Sequence, residues 1–249
     1  MKISVITASF NSEETIERTI QSVISQTWDD IEYIVIDGKS SDQTLKIIEK
    51  YHSHIAYFIS EPDSGIYDAM NKGLKKATGD IVCYLNSDDI YSSVMVLEHV
   101  VNCFKKNQID VIFGGVSFFR KNNPLKIKRV YKFDKFDASL FAYGWMPAHP
   151  ATFIKRTLMI QNGLFDTEFK IAGDFDYLLR MFKNLKFSYE CTENIFIHMQ
   201  MGGASNKNLI TKILLNKEIL SSCKKNGIKT NLFKILLRYP KKFTETFIK

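Results

Sequence analysis

Gly79-Asp80-Ile81-Val82-Cys83-Tyr84-Leu85-Asn86-Ser87-Asp88-Asp89 reads as an apolar strand that ends on two adjacent carboxylates. In open α/β sheets ligands bind outside the carboxyl ends of the strands, and carboxylates placed there anchor a divalent cation and its phosphates. Strict alternation carries Asn86 and Asp88 on one face of the strand end and Asp89 on the other, which makes Asp88 the first candidate. Asp and Ser also crowd ordinary loops and helix N-caps, so the stretch needs company before it carries function. A second strand, Ile31 to Asp37, also ends on a carboxylate and runs into Gly38 and a Ser/Asp-rich turn. A third, Lys2 to Phe10, ends in Thr7-Ala8-Ser9-Phe10-Asn11 and leads into a helix. Three strand ends therefore point at one place.

Working outward, strands and helices alternate. Asn11 is placed to cap a helix with Glu14 three residues on, and Ile16, Ile20, Val23 and Ile24 supply its buried stripe. The pattern repeats with a helix over Gln43 to His52, a strand from Ala56 to Ser60, a helix from Ile66 to Ala77 stopped by Gly79, and a helix from Val94 to Asn107. Such alternation implies an α/β fold with a mostly parallel sheet and helices on both faces. After Val111 the rhythm breaks, with Gly114-Gly115, a hairpin through Lys121-Asn122-Asn123-Pro124 and shorter elements.

Composition agrees with an ordered chain. The 249 residues are 45% hydrophobic with five prolines, enough to bury a sizeable core. Cys83, Cys103, Cys191 and Cys223 show neither paired zinc spacing nor framework density, which suits a reducing compartment. No apolar run reaches eighteen residues and the first residues lack a leader pattern, so a cytoplasmic location is expected. Charge is uneven: Asn206 to Lys249 carries 11 Lys/Arg against 2 Asp/Glu, while the whole chain is +7. Leu209, Ile213 and Leu220, with Ile210 and Leu214, recur at helical spacing. A second stretch, Asn231 to Arg238, mixes Leu and Phe with Lys234 and Arg238. Basic amphipathic helices favour anionic membrane surfaces. Asn208 to Cys223 is read as a helix covering the domain, and Lys224 to Lys249 as the part that contacts membrane.

The ordered pieces Thr7-Ala8-Ser9-Phe10-Asn11, Asp37-Gly38-Lys39-Ser40-Ser41-Asp42, Glu61-Pro62-Asp63-Ser64-Gly65, Asn71-Lys72-Gly73 and Asn86-Ser87-Asp88-Asp89 resemble family 2 glycosyltransferases of the GT-A fold. The resemblance continues through Gly173-Asp174-Phe175-Asp176 to Gly202-Gly203-Ala204-Ser205. It implies a Rossmann-like catalytic domain over residues 1–205, with a nucleotide-sugar-binding half to about 115 and an acceptor half over 116–205. Residues 206–249 are left as a basic helical tail.

The resemblance also implies an inverting transfer from a nucleotide-sugar to a saccharide or lipid-linked saccharide acceptor. Asp88 would hold Mg²⁺ or Mn²⁺ on the donor diphosphate, where a Lewis acid offsets charge developing on the leaving phosphate. Asn86 stands where the usual pattern has an Asp, so its amide oxygen ligates without adding charge. Asp37 resembles the residue that accepts a uracil imide N–H, and Phe10 the aromatic that packs on the base; dTDP and GDP are the secondary nucleotides. Thr7, Asn11, Asp63, Gly65, Asn71 and Ser87 match positions around the nucleotide and sugar. Asp174 matches the general base, with Asp176 second, although Gly173 replaces a frequent Glu. His149, Trp145 and Asp89 are placed toward the acceptor, and His198, near the Gly202–Ser205 segment that resembles a mobile loop, is a further candidate metal ligand. Relatives with Asn-Ser-Asp-Asp after a strand resemble bacterial enzymes that build O-antigen, capsule or exopolysaccharide at the inner face of the cytoplasmic membrane, with no role for nucleic acid. Two other classes remain open: a sugar nucleotidyltransferase, which would need a Gly-rich triphosphate loop not seen near the start, and a basic membrane- or nucleic-acid-binding module, in which the strand-end carboxylates would repel phosphate.

Overall fold

A computed structural model of the chain describes residues 1–120, 123–202 and 209–239. The first half is built from β1 (Ile3–Ser9), α1 (Ile16–Ile24), β2 (Ile31–Asp37), α2 (Thr44–Glu49), β3 (Tyr57–Ser60), α3 (Ile66–Lys76), β4 (Ile81–Tyr84), β5 (Ile90–Tyr91) and α4 (Val96–Asn107). The second half contains β6 (Val111–Arg120), β7 (Asn123–Tyr131), β8 (Thr152–Lys155), α5 (Arg156–Asn162), α6 (Gly173–Asn184), β9 (Tyr189–Gln200), α7 (Leu209–Lys225) and α8 (Leu232–Leu236). The described strands form one sheet in the order β3-β2-β1-β4-β8-β6-β9-β5, with β7 paired to β6. The β3-β2-β1-β4 half is parallel, as alternation requires, whereas β8 runs antiparallel between β4 and β6, and β6 pairs parallel to β9.

Alternation along the strands distributes side chains to two apolar layers. Ile6 and Ala8 of β1 with Ile34 and Ile36 of β2 face α3, α5 and α6, while Ile3, Val5, Tyr33 and Val35 face α1 and α4. The helix after β1 begins later than its expected cap. Asn11 has φ +46 and accepts from the Ser41 N–H at 2.9 Å, so it ties two loops together, and α1 starts after Thr15. β6 and β7 pair antiparallel as a hairpin, although Lys121 and Asn122 lie outside the described residues.

Residues 209–239 do not stand apart from the domain. Ile219 and Cys223 of α7 and Ile235 of α8 lie in the same apolar cluster as α6, each fully buried isoleucine contributing about 1.5–3 kcal/mol. The Arg238 guanidinium is buried and donates to the Gly144 carbonyl at 2.7 Å and to Asn216 at 3.0 Å. The chain from 240 to 249, the rest of the expected membrane contact, lies outside the described residues.

Candidate active site

The β1/β2 register ends at Ser9 opposite Asp37, and the Leu85 N–H continues the ladder to the Ile6 carbonyl at 2.9 Å, so the three strand ends do converge. β4 stops at Tyr84, and the Asp89 N–H donates to the Asn86 carbonyl at 3.0 Å, which folds 86–89 into a tight turn. Extended alternation therefore does not reach Asp88. Ser87 and Asp88 occupy the tip of the turn, where Ser87 Oγ meets Ser12 Oγ at 2.8 Å, and Asp88 stays partly exposed. Burial raises the Asp88 pKa, against the pull of the Arg18 guanidinium. Asp89, assigned to the acceptor, instead turns inward: it is 1% exposed and its Oδ1 is met by the Gln200 N–H at 3.4 Å. Burial and the neighbouring Asp88 charge push its pKa well up.

Arg18 on α1 closes the turn from behind, donating to the Asp88 carbonyl at 3.0 Å and to Gln200 Oε1 at 2.6 Å. Asn86 Oδ1 is buried and accepts no hydrogen bond, an orphaned acceptor two residues before the desolvated Asp88. Such a pair of hard oxygen donors fits a divalent cation that takes its other ligands from phosphates and water. No group of three His, Cys, Asp or Glu that could hold a metal occurs among the described residues.

Around the β2 end the assignments change. Asp37 is fully buried and its carboxylate is filled by the Ser40 N–H at 2.8 Å, Ser40 Oγ at 2.5 Å and Ser60 Oγ at 2.7 Å. It anchors the loop rather than facing a base. Phe10, by contrast, is 63% exposed at the end of β1, unlike a core phenylalanine. Gly65 has φ +122, a region that favours glycine, and its N–H donates to Asp63 Oδ1 at 2.9 Å as α3 begins.

The other side of the site is the start of α6. Asp174 lies in its first turn, partly exposed, with its Oδ1 accepting from the Phe175 N–H at 2.8 Å and from the Tyr67 hydroxyl at 3.3 Å. Desolvation pushes its pKa up to about 6, a value suited to a base working near neutrality. Tyr67 belongs to α3, which follows the Asp63 loop, and its single hydroxyl hydrogen is shared between Asp174 Oδ1 and the nearer Ile171 carbonyl at 2.7 Å. A side chain at Gly173 would run into the Tyr67 ring, with contacts from 2.7 Å. Glu218 of α7 accepts from the backbone N–H groups of Lys170, Ile171 and Ala172 at 2.8–2.9 Å, bracing the loop that presents Asp174. Asp176 is spent: it is 1% exposed, paired with Arg180 at 2.8 Å and bonded by Ser222 and Asn226, which removes it as the alternative base.

The model of "Glycosyl transferase family 2" matches residues 4–169, the part of the chain that carries the three converging strand ends. The chain belongs to that family. The transferase is 35% identical over 181 residues to uncharacterized glycosyltransferase MT1564 of Mycobacterium tuberculosis (strain CDC 1551 / Oshkosh), covering 72% of this chain and 68% of that one. A PGL/p-HBAD biosynthesis glycosyltransferase of Mycobacterium bovis (strain BCG / Pasteur 1173P2) is 24% identical over 222 residues, 87% of this chain and 82% of the relative. Among solved structures, S. aureus TarS 1-349 in complex with UDP-GlcNAc superimposes with TM-score 0.68 at 22% identity, covering 96% of the transferase and 72% of that chain. A mannosyltransferase from Pyrobaculum calidifontis in complex with GDP-Man and Mn2+ gives 0.65 at 17% identity, with 95% and 68% covered. These likenesses establish the GT-A fold.

Several residues assigned to ligands serve the scaffold of the transferase instead. Thr7 is fully buried and its hydroxyl accepts from Tyr33 at 3.2 Å. Both ends of the Asn71 amide are used on the Phe165 backbone, at 2.9 and 2.8 Å, fastening α3 to the second half. His149 is buried, stacked on Tyr84 with ring centroids 5.2 Å apart, and burial lowers its pKa to about 4, so it is a neutral core ring. Trp145 is buried against Tyr131. His198 engages Ser117 Oγ through Nδ1 at 2.5 Å and burial lowers its pKa. Of the expected mobile segment, Gly202 is exposed and 203–205 lie outside the described residues. Arg18, Tyr67 and Glu218 escaped the sequence reading, because each acts through a partner at least 46 residues away in the chain.

Proposed function

We propose that the protein transfers a sugar, with inversion, from a nucleoside diphosphate sugar, a UDP-sugar first, to a hydroxyl of a saccharide or lipid-linked saccharide acceptor in bacterial surface polysaccharide assembly. The observation that carries this reading is the Tyr67–Asp174 contact, which couples an accessible carboxylate of pKa about 6 to the helix that follows the Asp63 loop. Asp174 accepts the acceptor's hydroxyl proton as the new C1–O bond forms and the bond to the diphosphate breaks. Tyr67, itself held protonated by burial, donates to Oδ1 and steers the second oxygen toward the acceptor. A positioned base of this kind contributes on the order of 10²- to 10⁴-fold. Asp88 and Asn86 would hold a Mg²⁺ or Mn²⁺ ion, which when bound supplies positive charge where the leaving diphosphate becomes more negative. Phe10 offers an exposed ring for the base, and Ser87 and Asn11 frame the loops beside it.

A lipid-linked acceptor would bring the enzyme to the inner face of the cytoplasmic membrane. Leu209 and Ile210 of α7 and Phe233 of α8 are more than 70% exposed beside lysines, a combination suited to an anionic bilayer surface. No helix among the described residues is long and apolar enough to cross a membrane.

Calorimetry with UDP, dTDP, GDP and CMP, with Mn²⁺ and with chelator, tests the donor half of this reading. Cation-dependent binding led by UDP is expected; a folded protein that binds no nucleotide contradicts it. Vesicle sedimentation of F233D against wild type tests the membrane contact, with weaker binding to anionic vesicles expected and equal binding contradicting it.

A further inference from the structure

The base-reading carboxylate expected at Asp37 is closed off by three donors, yet the loop beside it holds another carboxylate that is open. Gly38 is buried, and a Cβ at that position would lie 2.5 Å from Asp63 Oδ2 and 3.4 Å from Phe10 Cδ2. Asp63 and the Phe10 ring thus border one point above Gly38, the carboxylate occupying the volume that a side chain at residue 38 would take. Asp63 is oriented: Oδ1 accepts from the Gly65 N–H at 2.9 Å, and Oδ2 accepts no hydrogen bond among the described residues. The loop carrying it is held by Lys72, whose Nζ donates to the Pro62 carbonyl at 3.0 Å and pairs with Glu61 at 2.9 Å. Phe10, 63% exposed, supplies an aromatic face that no neighbour covers fully.

We propose that Asp63 is the residue that selects the nucleobase. Its free Oδ2 accepts the imide N3–H of a pyrimidine-2,4-dione whose ring rests on Phe10, and glycine at 38 leaves room for the carboxylate to reach it. The inference rests on the nucleoside diphosphate sugar reading above and assigns its specificity. Cytosine presents a lone pair at N3 where uracil presents a hydrogen, so the same carboxylate repels it. A charge-assisted hydrogen bond to the correct base is stronger than a neutral one, and the wrong base leaves the carboxylate desolvated and unpaired.

The test is calorimetric binding of UDP, N3-methyl-UDP and CDP, with Mn²⁺, to the full chain as wild type, D63N and G38A. Wild type should bind UDP at least about ten-fold more tightly than either analogue. In D63N the Asn carbonyl oxygen keeps the Gly65 bond and its NH₂ replaces Oδ2, presenting a donor. UDP should weaken about ten-fold or more and the UDP-to-CDP preference should collapse or invert, with the melting temperature unchanged. G38A, which crowds Oδ2, should weaken UDP without favouring CDP. A wild type that prefers UDP while D63N keeps the same affinity and the same preference overturns the inference alone. A wild type that binds no nucleoside diphosphate overturns the donor reading and this inference with it.

Discussion

The two sides of the site are built differently. On the strand-end side, Asp37 is closed but other groups are left open: Asn86 Oδ1 accepts no hydrogen bond, Asp63 Oδ2 accepts nothing among the described residues, and the apolar Phe10 ring is 63% exposed. On the α6 side almost every group is braced, with Glu218 on three backbone N–H groups, Tyr67 on Asp174 and the Ile171 carbonyl, and Asp176 on Arg180, Ser222 and Asn226. Buried polar groups left unsatisfied cost stability, so an open set is retained where a ligand completes it, and a braced set where geometry must be fixed before the ligand arrives. In the proposed reaction, this difference means that the donor side is finished by its substrate and that the proposed base is pre-positioned by the fold.

Breaking the braced side at its functional atom should have the largest effect. D174N keeps both bonds to Oδ1 and removes the base, so transfer should fall by on the order of 10³-fold while UDP binding by calorimetry is unchanged. The same variant sharpens the comparison through stability. The folded Asp174 pKa, about 6, lies above its ordinary value, so the folded state favours the neutral acid, and stability falls as pH rises from about 4 through about 6. Above that window the amide should melt higher than the carboxylate, read by calorimetry at pH 7.5; an unchanged or lower melting temperature would argue that Asp174 is not desolvated.

Emptying the open side comes next. Chelation should lower turnover on the order of 10²-fold, because a Lewis acid contributes several kcal/mol at a developing phosphate charge. Activity indifferent to chelator would mean that Arg18 and the turn stabilise the leaving group unaided. Smaller again is the loss of the brace: E218A strands three backbone donors at the approach to α6, which costs roughly 2–4 kcal/mol of stability. It should lower kcat several-fold with donor affinity intact, a split that global destabilisation would not produce.

The strand ends were legible because period-two apolar runs closing on Asp or Asn are local signals, and Asp174 was picked out through the resemblance of the Gly173–Asp176 stretch to the family. What a residue's neighbours do to it was not. Asp37 and Asn71 carry the right chemistry for a ligand, but Ser40 and Ser60 consume one and the Phe165 backbone the other. His149 and Trp145 sit at plausible positions and are buried by rings from distant segments. Glu218 was invisible for the opposite reason: in sequence it is one acid in a basic stretch, and only the packing of α7 on α6 brings it to the Asp174 loop. The turn at 86–89 shows the limit of strand periodicity, since one backbone hydrogen bond, Asp89 N–H to the Asn86 carbonyl, redirects both carboxylates.

The pH dependence of kcat/KM, compared between wild type and Y67F, tests the assignment of the base most directly. With Asp174 as base, wild-type activity should rise with pH and reach half its plateau near pH 6, because the carboxylate must be ionised to accept the proton. Removing the Tyr67 hydroxyl takes away a hydrogen bond that lowers the Asp174 pKa, so the Y67F midpoint should move to higher pH with a modest fall in the plateau. A profile flat between pH 5 and pH 8, or a midpoint that Y67F leaves in place, would contradict the account.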